Sequence, residues 1–329
     1  MSSTTPPDIA KHAENLITRF KLDRLLNQDQ AGRRISLLGT IDSQPAILIA
    51  ERAAFSTTNS HLENFSTFLT NIKNLGANDI YSWFLASTTT TSSPSSSLSS
   101  SSPPDLKLNL IHPCTEQHVR KYSAQGVRTV TETPQIYQDH VRPFIEKKRE
   151  KGSLNWVYNI IEGRTEQEDV VYRETGEAEG FLLLPDLNWD RTTLPSLHLL
   201  GLVERRDIWS VRDLRKSHVA WLRHMRTKLL DATVKLYPTI EKDQLKLYVH
   251  YQPTYHHFHI HIVHVALEAG ATQAIGKALG LENIISQLET MAGGPEAGMA
   301  DVELTYQVGE ASELWMSVFE PLKKQSTKQ

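Results

Sequence analysis

Hydrophobic and polar residues alternate in many short segments of this chain, and a period of two is typical of β-strands. An amino-terminal hairpin is predicted where apolar residues alternate in 34–41 and fill 46–50, on either side of the turn Asp42-Ser-Gln-Pro45. Other segments with a strand-like pattern are 79–84, 106–112, 154–162, 170–174, 180–184, 245–251, 257–263 and 302–308. The strands at 245–251 and 257–263 are expected to form a hairpin over Gln252-Pro253-Thr254.

Apolar spacings of three and four residues predict helices between these strands. The clearest case is 222–236, which Pro238 ends. Other segments predicted as helical are 17–26 (a short helix or capping segment), 61–75, 116–122, 133–151 and 274–288. This order of elements predicts the α+β class with antiparallel sheets.

The length of 329 residues suggests two domains. We expect a disordered amino terminus over 1–15, a smaller α+β domain over 16–150 and a second domain over 151–329. Residues 87–104 are almost entirely Ser, Thr and Pro, and they cannot bury enough apolar surface to offset the entropy of ordering. We predict a disordered insertion in a loop between two strands, with a phosphorylated or partner-binding segment as the alternative.

Composition narrows the class of protein. The net charge is −3 (35 basic against 38 acidic residues), so no global basic field would bind long nucleic acid. The single cysteine, Cys114, excludes an internal disulfide and suits a reducing compartment. No apolar run approaches the roughly 18 residues of a membrane helix, and Met1–Pro7 lacks the apolar core of a signal peptide. We expect a soluble protein of the cytoplasm, with the nucleus as a second location.

Most of the residues that could be catalytic lie in or next to one predicted strand. Six of the fourteen histidines lie between His250 and Val265. Because alternate residues of a strand share a face, His257, His259 and His261 are predicted to point one way. The residues between and after them, Phe258, Ile260 and Ile262, are predicted to point into a core.

Three interpretations of this strand are open. It could be a histidine-rich strand without a task, a metal site, or a nucleophilic site in which one imidazole attacks and its neighbours orient it. Zinc ligands lie about 2.0–2.1 Å from the ion, whereas the outer two histidines of the strand are separated by about 13 Å of backbone. A metal held by all three is therefore disfavoured, and we predict neither a metal nor another cofactor.

The pattern of His257 to Val263 resembles the signature of the histidine-triad nucleotide hydrolases and transferases. The chain around it is similar to one branch, the scavenger mRNA-decapping enzymes, from about Phe20 to the end of the triad strand. The segments that carry this similarity are 155–161, 181–189, 205–206, 210–214 and 247–255. The resemblance implies a histidine-triad-like carboxyl-terminal domain and a homodimer whose amino-terminal segments are swapped. It also implies hydrolysis of the triphosphate bridge of 7-methylguanosine-capped dinucleotides or short capped RNA at the end of 3′-to-5′ decay.

The resemblance also implies roles for the triad. The middle histidine, His259, would attack phosphorus and carry a covalent phosphoramidate that water later hydrolyses. His257 and His261 would bind phosphate oxygens or hold the tautomer of the nucleophile. The Tyr255 hydroxyl could donate to a phosphate, and His250 could orient the triad from the neighbouring strand or simply pack in the core.

A cap pocket is implied by the same resemblance. Trp156 would stack on the cationic 7-methylguanine and Leu187 would cover its other face. Glu166 and Asp186 could accept hydrogen bonds from the guanine edge. The family usually has a lysine two residues after the aspartate, where this chain has Asn188.

Two residues of the amino-terminal domain complete the implied site. Lys121 would reach the phosphates, and Asn78 belongs to a stretch that closes over the pocket. Two other functions stay open: a general histidine-triad hydrolase of dinucleoside polyphosphates, and a non-catalytic cap-binding regulator of mRNA decay.

Overall fold

The computed structural model describes residues 14–29, 33–78, 80–88, 104–176, 178–186, 189 and 191–326. The chain divides into two compact units, Met1–Ala124 and Gln125–Gln329. This division lies earlier than the expected boundary at 150/151, because strand β7 (Val127–Glu132) pairs along its length with β14 (Leu304–Gly309) near the end of the chain. Disorder was expected over residues 1–15 and 87–104. Of these, residues 1–13 and 89–103 lie outside the described residues.

The first unit contains two three-stranded antiparallel sheets. The first joins β1 (Lys21–Gln28), β2 (Arg34–Ile41) and β3 (Gln44–Glu51), so the predicted amino-terminal hairpin is confirmed. The second sheet consists of the next three strands of the chain, and one short helix precedes these strands while another follows them. Their bounds are α1 Asn59–Glu63, β4 Leu69–Asn78, β5 Tyr81–Thr88, β6 Leu106–Ile111 and α2 Glu116–Tyr122.

The helix predicted over 61–75 is wrong beyond its first turns. A 3-10 turn (Phe65–Phe68) follows α1, and the chain then enters strand β4. Register shifts between Thr70 and Lys73 and between Asn74 and Gly76 interrupt the pairing of β4 with β5. Such bulges break the period of two, and the resulting apolar spacing imitates a helix. The segment 17–26 likewise contains most of β1 rather than a continuous helix.

The second unit is built on a six-stranded antiparallel sheet in the order β13-β11-β12-β10-β9-β8. Its strands are β8 Tyr172–Glu174, β9 Phe181–Pro185, β10 His198–Val203, β11 Leu245–His250, β12 His259–His264 and β13 Ala278–Gly280. Its helices are α3 Pro134–Ile136, α4 Arg142–Glu150, α5 Asn155–Ile161, α6 Val219–Leu236, α7 Leu281–Thr290 and α8 Glu320–Ser326. A π-helical turn joins α3 to α4, and another precedes α8.

Three predictions for this unit need correction. The segment 154–162 is helix α5 and not a strand, and its buried residues Val157, Ile160 and Ile161 have helical spacing. The segment 274–288 contains the short strand β13, which pairs with β11, and becomes helical only at Leu281. The connection between β11 and β12 spans residues 251–258 and is longer than the three-residue turn expected.

The sheet buries both faces. Ile260 and Ile262 are fully buried in one cluster with Leu222 and Leu229 of α6, which confirms the predicted apolar face of the triad strand and the inward face of this helix. On the other face, α5 packs against strand residues that belong to a separate cluster, Leu182, Leu184 and Leu202. The triad strand therefore lies in the middle of a sheet that is covered on both sides. Among the described residues, no helix combines the length and apolar character needed to span a bilayer.

Candidate active site

Two of the three triad imidazoles project from strand β12 onto the face of the sheet that carries α5. His259 lies opposite Leu202 and His261 opposite Leu200 on β10. Directly opposed residues of antiparallel strands share a face, and Leu202 belongs to the cluster under α5. Both imidazoles are 6% exposed, and their ring centroids are 5.3 Å apart.

His257 reaches this region just before the strand begins, and its ring has a different environment. The His257 Nε2–H donates to the Val203 carbonyl at 2.7 Å, and the ring meets Tyr158 edge-to-face at 5.9 Å. The main-chain carbonyl of His257 accepts a hydrogen bond from His259 Nδ1 at 2.7 Å. The part of His257 that holds the tautomer of His259 is thus its backbone.

The protonation state of His259 suits a nucleophile. A carbonyl oxygen only accepts hydrogen bonds, so Nδ1 carries the proton and Nε2 of the neutral ring keeps its lone pair. Burial lowers the pKa of His259 to about 4, because the charged imidazolium is poorly solvated there. The ring is therefore neutral at pH 7.

His250 joins the cluster from the neighbouring strand β11. Its ring centroid is 4.2 Å from that of His261, and its Nε2–H donates to the Thr272 carbonyl at 2.8 Å. Burial lowers the pKa of His250 to about 4. Of the two interpretations that the sequence allowed, orientation of the triad or simple core packing, this geometry favours a residue of the site.

A second polar chain supports His261 from β10 and the end of β9. His261 Nδ1 and His198 Nε2 are hydrogen-bonded at 2.9 Å. His198 Nε2 in turn lies 3.7 Å from Asp186 Oδ2. Asp186, predicted to read the guanine edge, is thereby placed beside the histidine cluster.

Two tyrosines stack on the two central imidazoles. Tyr255 lies on His259 with a centroid distance of 4.3 Å, and Tyr248 lies on His261 at 4.9 Å. Within the described part of the chain, both hydroxyls and His261 Nε2 are buried without a hydrogen-bond partner. Because buried polar atoms are nearly always satisfied, these three atoms are candidates to hydrogen-bond a polar ligand.

Trp156 connects this polar cluster to the surface. It lies on α5, its side chain is 46% exposed, and its ring meets Tyr255 edge-on at 4.9 Å. Trp156, Tyr255 and His259 therefore form a continuous aromatic path from the surface to the buried histidine cluster. An exposed tryptophan at the mouth of a polar site is suited to stack on a ligand ring.

The structure gives less information about the other residues that were predicted to bind the cap. Glu166 is exposed in the loop after α5, with a left-handed φ of 53°. Partial desolvation of its carboxyl group, followed by the charges of Asp169 and Glu168, raises its pKa. Leu187 and Asn188 lie outside the described residues. Asn78 ends β4 and Lys121 lies in α2, both in the first unit.

Three residues of the site were missed from the sequence: His198, Tyr248 and Lys277. Lys277 Nζ donates to the Gln252 carbonyl at 2.5 Å, and its positive charge contributes to lowering the pKa of His250 and His259. The sequence had assigned Lys277 to a helix, whereas the structure places it immediately before the short strand β13. His198 and Tyr248 carried no sequence signal, because each meets His261 only through strand pairing.

Nitrogen donors converge in this site in a way that the strand alone did not predict. His250, His259 and His261 each offer one ring nitrogen within 4.8 Å of the others, and Asp186, His198 and His261 form a second such group. A metal was not expected because the three candidate ligands all came from one strand. In the structure, β12 supplies His259 and His261, and the neighbouring strand β11 supplies His250.

Comparison with known protein families matches both units. Residues 15–125 match the family model described as "Scavenger mRNA decapping enzyme (DcpS) N-terminal". Residues 155–276 match "Scavenger mRNA decapping enzyme C-term binding", and this range includes the histidine cluster and Trp156.

Relatives that carry the name m7GpppX diphosphatase align over most of the chain. The Schizosaccharomyces pombe protein is 38% identical over 307 residues, which cover 93% of this chain and 95% of the relative. The Ascaris suum protein is 34% identical, covering 82% and 85%, and the Homo sapiens protein is 30% identical, covering 82% and 77%. The two matched domains and these similarities over most of the chain show that this chain belongs to the scavenger mRNA decapping enzyme family.

Proposed function

We propose that this protein hydrolyses the triphosphate bridge of 7-methylguanosine-capped dinucleotides and short capped oligonucleotides. The products are 7-methylguanosine monophosphate and a nucleoside diphosphate or shortened RNA. Relatives named m7GpppX diphosphatase support this assignment. The observation that carries it is the aromatic path from Trp156 through Tyr255 to a buried, neutral His259.

The first chemical step is attack by His259 Nε2 on the phosphorus that carries methylguanosine. A P–N bond forms while the P–O bond to the next phosphate breaks, and the nucleoside diphosphate leaves with the electron pair. The imidazole gains positive charge in this step, and the His257 carbonyl that accepts from Nδ1 stabilises that charge. The resulting intermediate is a phosphoramidate on His259.

The second step is hydrolysis of this intermediate. Water attacks the same phosphorus, the P–N bond breaks with its electron pair returning to His259 Nε2, and the water releases one proton to the solvent. Lys277 and the two tyrosine hydroxyls would face the reacting phosphates, as a positive charge and as hydrogen-bond donors. Donors already fixed in place stabilise the charge that develops in the transition state, without reorganisation.

The finer architecture is part of the same proposal. We assign the second unit to the histidine-triad-like fold, in which the triad strand is central and antiparallel. We propose a homodimer with swapped amino-terminal segments, because β1 is exposed throughout and the sheet β1-β2-β3 presents apolar side chains at Leu22, Ile47 and Ile49. The proposed substrates are decay fragments of mRNA, which fits a cytoplasmic enzyme that also enters the nucleus.

Product analysis with a capped dinucleotide tests the proposed function. With 7-methylguanosine-labelled substrate in excess chelator, we expect 7-methylguanosine monophosphate as the labelled product, and acid-labile label on the protein after rapid quenching. Equal cleavage of methylated and unmethylated dinucleotides would instead indicate a general dinucleoside polyphosphate hydrolase. Tight cap binding without turnover would indicate a cap-binding regulator.

A further inference from the structure

The histidine cluster has the geometry of a three-nitrogen metal site. His250 comes from β11, and His259 and His261 come from β12, and one ring nitrogen of each lies within 4.8 Å of the others. Ligands of a tetrahedral zinc ion at 2.0–2.1 Å are about 3.4 Å apart. Small side-chain rotations would therefore bring the three nitrogens onto one ion.

The other nitrogen of each ring is already engaged in a hydrogen bond. His250 Nε2 donates to the Thr272 carbonyl, and His259 Nδ1 donates to the His257 carbonyl. In the tautomer that leaves the Nε2 lone pair of His261 available, His261 Nδ1 donates to His198 Nε2 at 2.9 Å. Metal-binding histidines almost always have this arrangement, because the outer hydrogen bond fixes the tautomer and the direction of the coordinating lone pair.

A further observation points to a ligand at the same place. His261 Nε2 is buried with no hydrogen-bond partner among the described residues. A neutral imidazole nitrogen with an unused lone pair suits a borderline transition metal, whereas magnesium prefers oxygen ligands.

We propose that His250, His259 and His261 bind one divalent zinc-type ion per chain and that this ion inhibits the protein. The ion would coordinate Nε2 of His259, the atom that the proposed reaction needs as its nucleophile. Metal and substrate are therefore mutually exclusive. The inhibition, though not the binding, rests on the proposed function.

Cobalt(II) provides a probe of binding that does not depend on activity. The full-length protein is titrated with Co²⁺ and the visible d–d absorption of a tetrahedral centre is recorded, with Mg²⁺ as the non-binding comparison. We expect saturation at one ion per chain and displacement of Co²⁺ by Zn²⁺. Absence of this spectrum in the folded wild-type protein would overturn the proposed site.

Variants identify the ligands. His250→Ala removes one ligand and should weaken Co²⁺ binding by at least about 100-fold. His198→Asn keeps all three ligands but removes the imidazole that is hydrogen-bonded to His261, and it should weaken Co²⁺ binding by about 10- to 100-fold. His264→Asn is the matched control, because this half-buried histidine at the end of β12 is outside the cluster, and it should bind like wild type. Equal melting temperatures exclude unfolding as the cause, and unchanged binding by folded His250→Ala would contradict the ligand assignment.

The inhibitory role is measured with the capped dinucleotide. Zn²⁺ should raise KM without lowering kcat, and excess chelator should restore the initial rate. An active protein that binds Co²⁺ but keeps its rate in saturating Zn²⁺ would overturn the inhibitory role. If the protein binds Co²⁺ but does not cleave capped dinucleotides, the metal site is supported and the proposed function is refuted.

Discussion

His259 differs from the neighbouring histidines in the hydrogen bond that its Nδ1 makes. The His257 carbonyl accepts this proton, so the tautomer is set by the backbone rather than by another titratable group. Such a bond persists as pH changes and keeps the lone pair on Nε2. His257 instead uses its Nε2 to hold Val203, which is a positioning role.

Replacing the nucleophile should remove chemistry but not binding. We expect His259→Asn to lower kcat by at least about 10⁴-fold, since the variant loses the imidazole that is proposed to form the covalent intermediate. The affinity for a capped dinucleotide, measured by fluorescence quenching of tryptophan, should stay within about threefold of wild type. His264→Asn should keep its rate, and residual turnover near the wild-type rate in His259→Asn would refute the covalent step.

The pH dependence of activity should reflect the buried state of His259. Its pKa of about 4 lies below the ordinary value of 6.5, so the reactive neutral form dominates at all higher pH. We expect kcat/KM to remain level as pH falls from 7 to about 5. Below a pH of about 4 it should decrease roughly tenfold per pH unit, because protonation of Nε2 blocks attack. A pH–rate profile that already falls near pH 6.5 would show that the nucleophile is not buried as described.

Helix α5 places Trp156 at the surface beside the histidine cluster. The buried residues Val157, Ile160 and Ile161 anchor one side of the helix on the sheet. Trp156 therefore points away from that cluster, toward Tyr255 and solvent. A strand in this segment, as the sequence suggested, would have spaced these side chains differently.

Truncation of Trp156 should reduce discrimination for the methylated base. A cation–π contact is worth about 0.5–2 kcal/mol, so Trp156→Ala should raise KM for the methylated cap by about 2- to 30-fold. The unmethylated cap, which lacks the positive charge, should be affected less. Trp156→Phe should recover part of the preference, measured as the ratio of kcat/KM for the two caps. An unchanged ratio in Trp156→Ala would remove this residue from the cap pocket.

A buried ion pair joins the distant parts of the second unit. The side chains of Arg212 and Glu132 are fully buried, with Arg212 Nη2 2.7 Å from Glu132 Oε1. The hydroxyls of Tyr251 and Tyr306 donate to the same carboxylate at 2.5 Å each. This network connects β7, β14 and the loop before the triad strand, so it holds the frame in which the histidines are placed.

Removing the charge of Glu132 should destabilise the whole unit. Glu132→Gln leaves the buried guanidinium of Arg212 without a counter-charge, which costs about 3–5 kcal/mol in the free energy of unfolding. Denaturant titration with circular dichroism measures the change. Glu146→Gln, which breaks the partly exposed pair with Arg142, is the control and should cost less than about 1 kcal/mol. Equal losses for the two variants would contradict this ranking.

Local patterns predicted much of the secondary structure. The hairpin of β2 and β3, helix α6 and the buried face of the triad strand follow from periodicity, since each depends on which side chains leave water. Predictions failed where the period was ambiguous. Bulges gave β4 an apolar spacing like that of a helix, and the seven residues of α5 were too few to distinguish a helix from a strand.

The sequence by itself determined the class of elements, the presence of a histidine strand and the family resemblance. Only the tertiary structure showed which side chains lie around the two imidazoles of β12. It placed His250, His198 and Tyr248 against His261, and it placed Lys277 near the same cluster. The physical reason is that spacing along one strand fixes a shared face, whereas contact between side chains depends on the register of neighbouring strands and on loops, which one-dimensional periodicity does not encode.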